Sequence, residues 1–379
     1  MIALLAAALC AAPSADTVRA TVTAVISEES PSHPFLIGEI SGLAIDAAGR
    51  VYVTDFQEPR VLVFATTGEH LATIGRKGQG PGEFQAPTGP VFGPDGALYV
   101  RNMTQVARFR PPAAGGIASR FERTFDGPSL APWRSRLASA IDREGRFYFP
   151  LEAGYPDGLT HYAYARYTLD GHYVDSLLVP IYPTSRSSWA SVPVAPGTGR
   201  VVRGVNTVPF HPWPQWTVLP AGTLLSSAAD GVVLAETDAK GKVLRELRLG
   251  AGGGAIPPAE RAESLAALKR RLDSIPVPLT QVRGMSDEVR ERRLPASYPA
   301  VRALLAAGAE VWAVRWSPPP LKASTVIDVL SADGRPLRTV VIPAACQSEP
   351  AIAVAGRTLA CVVTDAETGA QGVAISRLP

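Results

Sequence analysis

Few residue types in this chain could carry chemistry. Its 379 residues include five histidines, three cysteines and six tryptophans. A zinc-type lyase centre needs several imidazoles at one place. His33 precedes the first repeat described below, and His70 and His172 fall in polar turns. Only His161 and His211 stand where they could face a common opening, and two imidazoles make a poor metal site. A calcium-assisted lactonase site would need carboxylates, Asn and carbonyl oxygens converging. Calcium is therefore the cofactor to expect if the chain is an enzyme; otherwise none is expected. Serine-nucleophile chemistry lacks its Gly-x-Ser-x-Gly elbow. The Gly-rich run Arg76-Lys-Gly-Gln-Gly-Pro-Gly82 lacks the Gly-Lys-Ser/Thr ending of a phosphate loop, and reads as a connection.

The remaining candidates sit just after alternating, strand-like runs. They are Asp55 and Gln57, Arg101 and Asn102, Glu152 and Tyr155, and Arg315 and Trp316. His161 joins them, and the aromatic stretch Phe210-His-Pro-Trp-Pro-Gln-Trp216 adds His211, Trp213 and Trp216. Arg beside aromatic rings at a concave opening suits a sugar, a peptide or a small anion. Plainer roles compete with this one. Asp55 and Arg60 can pair within one sheet to steady a loop, and Trp213, Trp216 and Trp312 can fill the space between sheets.

These residues need a scaffold, and the scaffold is repetitive. The stretch Ile37–Phe109 holds two copies of one pattern: an apolar strand, a Gly turn, an alternating strand, a polar loop and a third apolar strand. The Gly turn recurs at Asp46-Ala-Ala-Gly49, Pro94-Asp-Gly96, Asp142-Arg-Glu-Gly145, Pro220-Ala-Gly222, Ala307-Gly308 and Ala355-Gly356. Glycine suits such turns because they need positive φ. The intervals are 47, 49, 77, 86 and 48 residues. Three match one four-stranded unit, and two match a unit plus an insertion. A second series of turns falls at Gly68, Gly115-Gly116, Gly171, Gly241, Gly334 and Gly369. Six units with two turn series predict an all-β, six-bladed propeller, in which radial packing buries sheet faces and leaves only short edges. The last unit supplies three strands of its own. The strand-like run Val18–Ile26 has no unit, so it is expected to close the last blade as its outer strand.

Two departures interrupt the repeat. Tyr182–Arg203 is rich in Ser, Pro, Thr and Gly and reads as an irregular loop. The second, between units four and five (255–294), reads as helical. Pro257-Pro258 opens it, with Glu260 and Glu263 early, a stripe of Leu265, Leu268, Leu272 and Ile275, and Lys269, Arg270 and Arg271 late, as the helix dipole favours. A second short helix is expected from Ser286 to just before Pro295. The insertion either packs its Leu stripe on the propeller or acts as a lid over one end.

Composition bounds the rest. A net charge of +3 gives no electrostatic case for nucleic acid. Met1–Ala12 is apolar but too short to span a bilayer, which takes about 20 residues. We read residues 1–15 as a signal peptide and 16–379 as the propeller, exported to the periplasm or cell envelope and monomeric. Lipid attachment at Cys10 is disfavoured, because Leu9 is too large for the residue before a lipidated cysteine. Cys346 and Cys361 lie 15 residues apart. A disulfide there would contribute about 3 kcal/mol; alternatively Cys361 is simply a small buried residue.

The first two units resemble NHL repeats. The matching residues are Gly42-Leu-Ala-Ile-Asp46, the Asp46–Gly49 turn, Val51–Asp55, Arg60–Phe64, and the connection Ile74-Gly75…Gly80-Pro-Gly-Glu-Phe84…Pro87. In the second unit Asn102 follows Arg101 where the first unit has Asp55. The whole chain resembles exported bacterial six-bladed propellers with a late helical insertion. That resemblance implies a fold and leaves the activity open, since propellers host binders, lactonases, lyases and scaffolds. The reading favours a binding or interaction module for a small molecule, sugar, peptide or protein partner. A metal-assisted lactonase or lyase at the channel mouth is the alternative.

Overall fold

The computed structural model of the chain describes residues 16–27, 37–113, 116–117, 119–127, 139–154, 161–180, 190–193, 201–204, 210, 215–227, 231–249, 252–273, 295–316, 324–347 and 352–379. Two strands, β1 (Asp16–Arg19) and β2 (Thr21–Ile26), precede the first blade. Blade one is β3 (Ile40–Ile45), β4 (Val51–Asp55), β5 (Arg60–Phe64) and β6 (His70–Ile74). Blade two is β7 (Pro87–Phe92), β8 (Leu98–Asn102), β9 (Gln105–Arg110) and β10 (Arg120–Asp126). Blade three is β11 (Ala140–Ile141), β12 (Arg146–Gly154), β13 (His161–Thr168) and β14 (Tyr173–Leu178). A two-stranded ladder follows, β15 (Ala190–Pro193) with β16 (Val201–Gly204). Blade four is β17 (Trp216–Val218), β18 (Leu224–Ser227), β19 (Val233–Thr237) and β20 (Val243–Arg248). Helix α1 (Pro258–Asp273) stands before blade five, which is β21 (Val301–Ala307), β22 (Glu310–Arg315), β23 (Thr325–Ser331) and β24 (Pro336–Ile342). Blade six has β25 (Ala353–Ala355), β26 (Thr358–Thr364) and β27 (Gln371–Arg377).

The pleat explains why the sheets stack. Along β4, Val51, Tyr52 and Val53 are all fully buried, so both faces of the strand are covered. Val51 and Val53 point one way, into a cluster with Val362 and Val373 of blade six. Tyr52 points the other way, into a cluster with Leu98 and Val100 of blade two. The same division recurs around the ring. Phe147 and Phe149 pack on blade two, and Tyr148 and Tyr164 on blade four. Leu225 and Leu234 of blade four meet Val311 and Ala313 of blade five. Trp312 and Val314 of blade five meet Leu359 and Cys361 of blade six. Six apolar layers between six sheets close the circle.

Each of the six turn glycines sits at positive φ: Gly49, Gly96, Gly145, Gly222, Gly308 and Gly356. Gly222 is needed twice over, because a Cβ there would also meet Arg146 Nη2 at 2.6 Å and Tyr148 Oη at 2.9 Å. The acid opening the turn organises it. Asp46 accepts from the amides of Ala48 and Arg50, from Arg50 Nε and from the Tyr52 hydroxyl. Asp142 makes the same four bonds with Glu144, Arg146 and Tyr148. Burial and the neighbouring carboxylate push both tyrosines up to about 12. In blade two, where Ala97 follows the turn, Arg108 from β9 bonds both Tyr99 and Asp95 instead.

The closing run divides in two. β2 pairs antiparallel with β27 and is the outer strand of the last blade, as expected. The earlier residues do not join that sheet: β1 runs parallel to β24 and adds a fifth strand to blade five. The switch happens at Ala20, whose amide still donates to Val341 while its side chain is buried between the two blades. Consequently Gly369, unlike its counterparts, turns between the second and third strands of its blade; a chain-terminal fourth strand needs no hairpin. The region expected as an irregular loop carries the β15–β16 ladder, because Ala190–Pro193 and Val201–Gly204 can pair across a Pro-Gly turn signal. The second helix expected from Ser286 lies outside the described residues.

Candidate functional site

The residues expected in loops after second strands mostly close those strands instead: Asp55, Arg101, Asn102, Glu152 and Arg315 are the last residues, or nearly so, of β4, β8, β12 and β22, at the end of the ring where the chain crosses from blade to blade. There the structure gives most of those with described side chains internal partners. Asp55 is fully buried. It accepts from the amides of Gly38 and Glu58 and pairs with Arg60 at 3.4 Å. Gln57 lies against Gly38, leaving no room for a Cβ there. Asn102, at the equivalent place in blade two, accepts from the amides of Gln85 (2.9 Å) and Ala86 (3.0 Å). Ser227 does the same for Gln215 in blade four. A backbone bond accompanies the device: Phe56 to Glu39, Ser227 to Gln215, Trp316 to Ala300. In blades one, two and four one side chain thus ties the segment entering the blade to the end of its second strand. Asn102→Ala removes the acceptor for two amides, and should lower unfolding free energy by about 1–2 kcal/mol in urea titration. Asn102→Asp, which keeps the acceptor, should recover most of that loss.

Arg101 is also internal. Burial lowers its pKa to about 10, its Nε donates to Thr88 Oγ1 at 2.9 Å, and its guanidinium lies 5.6 Å from the centre of the Phe149 ring. It wedges between blades two and three. Arg315 pairs through two nitrogens with Asp328 on the adjacent strand, both at 2.7 Å, and that bond raises its pKa. Glu152 and His161 sit on β12 and β13, with side chains outside the described set. Tyr155, His211 and Trp213 lie outside the described residues altogether. Among the described residues, no three His, Cys, Asp or Glu side chains gather as a metal-binding group.

Trp316 stands apart from the others. It joins an apolar cluster off the six interblade layers, with Phe210, Ile256, Tyr298 and Leu265. The cluster draws on the aromatic stretch, the helical insertion and the two ends of the β21–β22 hairpin. The insertion is anchored there by Ile256 N to Ala296 O (3.1 Å) and Tyr298 N to Gly254 O (2.9 Å). Gly253 allows this approach, since a Cβ would fall 2.3 Å from the Tyr298 carbonyl. Leu265 and the buried Leu268 come from the predicted Leu stripe.

Three features of the cluster are costly. Phe210 holds φ at 57°, a left-handed conformation that bulky residues avoid, while packing edge-on against Tyr298 at 5.5 Å. The Trp316 indole Nε1 is buried without a hydrogen-bond acceptor among the described residues. Glu260, in the first turn of α1, accepts from the Tyr298 hydroxyl through Oε2 (2.5 Å), but its buried Oε1 has no donor among the described residues. Burial and that carboxylate push Tyr298 up to about 12. An orphan donor in the cluster and an orphan acceptor on a carboxylate bonded to it each cost about 1–3 kcal/mol until something satisfies them. Sequence reasoning picked Trp316 and missed Tyr298 and Glu260. Their signal was positional: both flank the insertion that breaks the repeat.

The DUF5128 family model, described as a 6-bladed beta-propeller, matches residues 30–92. No curated protein matches the chain in sequence. Among solved structures, a putative exported protein from Bacteroides fragilis is 9% identical, with a TM-score of 0.45 over 97% of this chain and 100% of that one. A catalytically inactive virginiamycin B lyase from Staphylococcus aureus with quinupristin is 15% identical, with a TM-score of 0.41 over 96% and 94%. The PQQ-bound aldose sugar dehydrogenase of Streptomyces coelicolor is 13% identical, with a TM-score of 0.45 over 95% and 98%.

Proposed function

We propose that this chain is an exported binding module built from NHL-like repeats, and that it takes a carbohydrate at the crossing end of the ring, beneath α1. The observation that carries the reading is two buried polar atoms without partners among the described residues: Trp316 Nε1 in the aromatic cluster, and Oε1 of Glu260, whose other oxygen accepts from Tyr298 of that cluster. A hydroxyl can accept from the indole and donate to the carboxylate, and a sugar ring presents several hydroxyls. Its C–H face suits the flat rings of Phe210, Tyr298 and Trp316. The strained Phe210 backbone is the kind of local cost that a ligand clamp retains. The Cys346–Cys361 disulfide supports an oxidising, extracytoplasmic compartment.

Trp316→Phe tests the reading, because it keeps the ring and deletes the donor. A panel of mono- and disaccharides is titrated by calorimetry against wild type and variant. Saturable binding by wild type is expected, weakened about tenfold or more in the variant. The ligand-free variant should unfold at the same or a higher temperature, since it no longer buries an orphan N–H. Absence of saturable binding to wild type, or equal binding to both proteins, would refute the assignment.

A further inference from the structure

The opposite end of the ring, where first strands turn into second strands, carries a cavity of about 210 Å³. It lies among the turns of blades three, four and five, far along the strands from the α1 cluster. Its walls are mostly apolar, from Leu219, Pro220, Val311 and Ala332, and its polar groups are Glu236, Glu310, Arg245 and Arg143. Both carboxylates already have cations. Glu236 accepts from Arg245 and from Thr223 Oγ1, each at 2.6 Å. Glu310 takes two bonds from Arg338, at 2.8 and 2.7 Å, and a third from Trp312 Nε1 at 3.0 Å. Arg143 is different. Its backbone amide is fixed to the Pro220 carbonyl at 3.0 Å, holding the turn against blade four. Its exposed guanidinium has no hydrogen-bond or ion-pair partner among the described residues. With Arg245 matched to Glu236, and Arg338 neutralising Glu310 from outside the lining, Arg143 is left as a cation in surplus.

We propose that this cavity is a second binding site, independent of the carbohydrate reading, and that it takes a small organic carboxylate. The apolar body enters between Leu219 and Val311, and the carboxylate rests on Arg143. The volume falls below the 300–1,000 Å³ typical of drug-sized clefts, which limits the ligand to about one ring or a short branched chain. A guanidinium matches a carboxylate with two parallel N–H donors. An ammonium ligand would meet carboxylates that are already occupied.

The probes are benzoate and its neutral isostere benzamide, titrated by ligand-observed NMR against the full chain. Wild type should bind benzoate at millimolar concentration or tighter, and benzamide about tenfold more weakly. Arg143→Ala should abolish that difference, leaving both probes equally weak. The substitution is in an exposed turn and keeps the backbone amide, so its melting temperature should match wild type. Ala332→Leu should lower the affinity for both probes by filling the wall. Equal affinity of wild type for benzoate and benzamide, absence of millimolar binding, or a benzoate preference surviving in Arg143→Ala would each overturn the proposal.

Discussion

Replacing Ile26 by Asp is expected to destabilise the ring by at least about 4 kcal/mol, enough to unfold most domains of ordinary stability. Ile26 is fully buried, within the layer that joins blade six to blade one. Its burial alone accounts for about 1.5–3 kcal/mol, and an unpaired carboxylate in the same place adds the cost of dehydrating a charge. The position is sensitive for a topological reason as well. In blades one to four, the outermost strand directly follows its neighbour in the chain. In blade six, β2 is held to β27 by ladder bonds and packing alone. Val25→Asp is the control. Val25 lies on the same strand but is 54% exposed, so it should shift stability by no more than about 0.5 kcal/mol. Thermal unfolding followed by circular dichroism separates the two. An Ile26→Asp protein within 1 kcal/mol of wild type would mean that the ring does not depend on its strap.

Removing the disulfide should cost about 3 kcal/mol. Cys346 and Cys361 are bonded, 5.5 Å apart at Cα and 15 residues apart in sequence, and closure of a loop of that length has about this value in the chain-entropy account. The bond joins the crossing from blade five to the second strand of blade six. Cys346 also donates its amide to Thr325 Oγ1 at 3.0 Å. Both cysteines are buried to 1% exposure or less, so reductant should not reach them in the folded protein. The expected result is a lower urea midpoint for the Cys346→Ala, Cys361→Ala double variant. Dithiothreitol should lower the wild-type midpoint only when present during unfolding. An unchanged midpoint in the double variant would show that the crossing is secured by its hydrogen bonds.

The turns and alternating strands were legible because glycine at positive φ and period-two burial leave local marks. Asp46-Ala-Ala-Gly49 and Val51-Tyr52-Val53 announce a hairpin whatever surrounds them. The closing role expected of residues 18–26 followed from counting, a blade one strand short, and holds for 21–26; the spacing of Cys346 and Cys361 allowed the disulfide without choosing it over a buried free thiol. The mouth residues were harder. Asp55, Asn102 and Arg315 have side chains suited to ligands, but backbone amides and neighbouring strands use the same valences. Sequence alone does not say which partner takes them. Tyr298 and Glu260 are 38 residues apart and meet only because the insertion folds back on its own exit. The β1 pairing with β24 was invisible for a related reason: parallel registry between chain ends has no local signature.

The strap described above also sets an order of events. Thr21 pairs with Arg377, so β2 waits for a strand about 350 residues later in the sequence before it has a place. Blades one to five can form as each hairpin is completed, through contacts close in sequence. Blade six cannot, and contacts of such long range slow folding. The loop entropy grows only by about 0.6 kcal/mol per doubling of length, so the delay is a matter of rate more than of stability. β2 therefore stays an unpaired edge until β27 has formed. Assembly of the last sheet is the step at which slow folding, and pairing with a second chain in place of its own N-terminus, should first be seen.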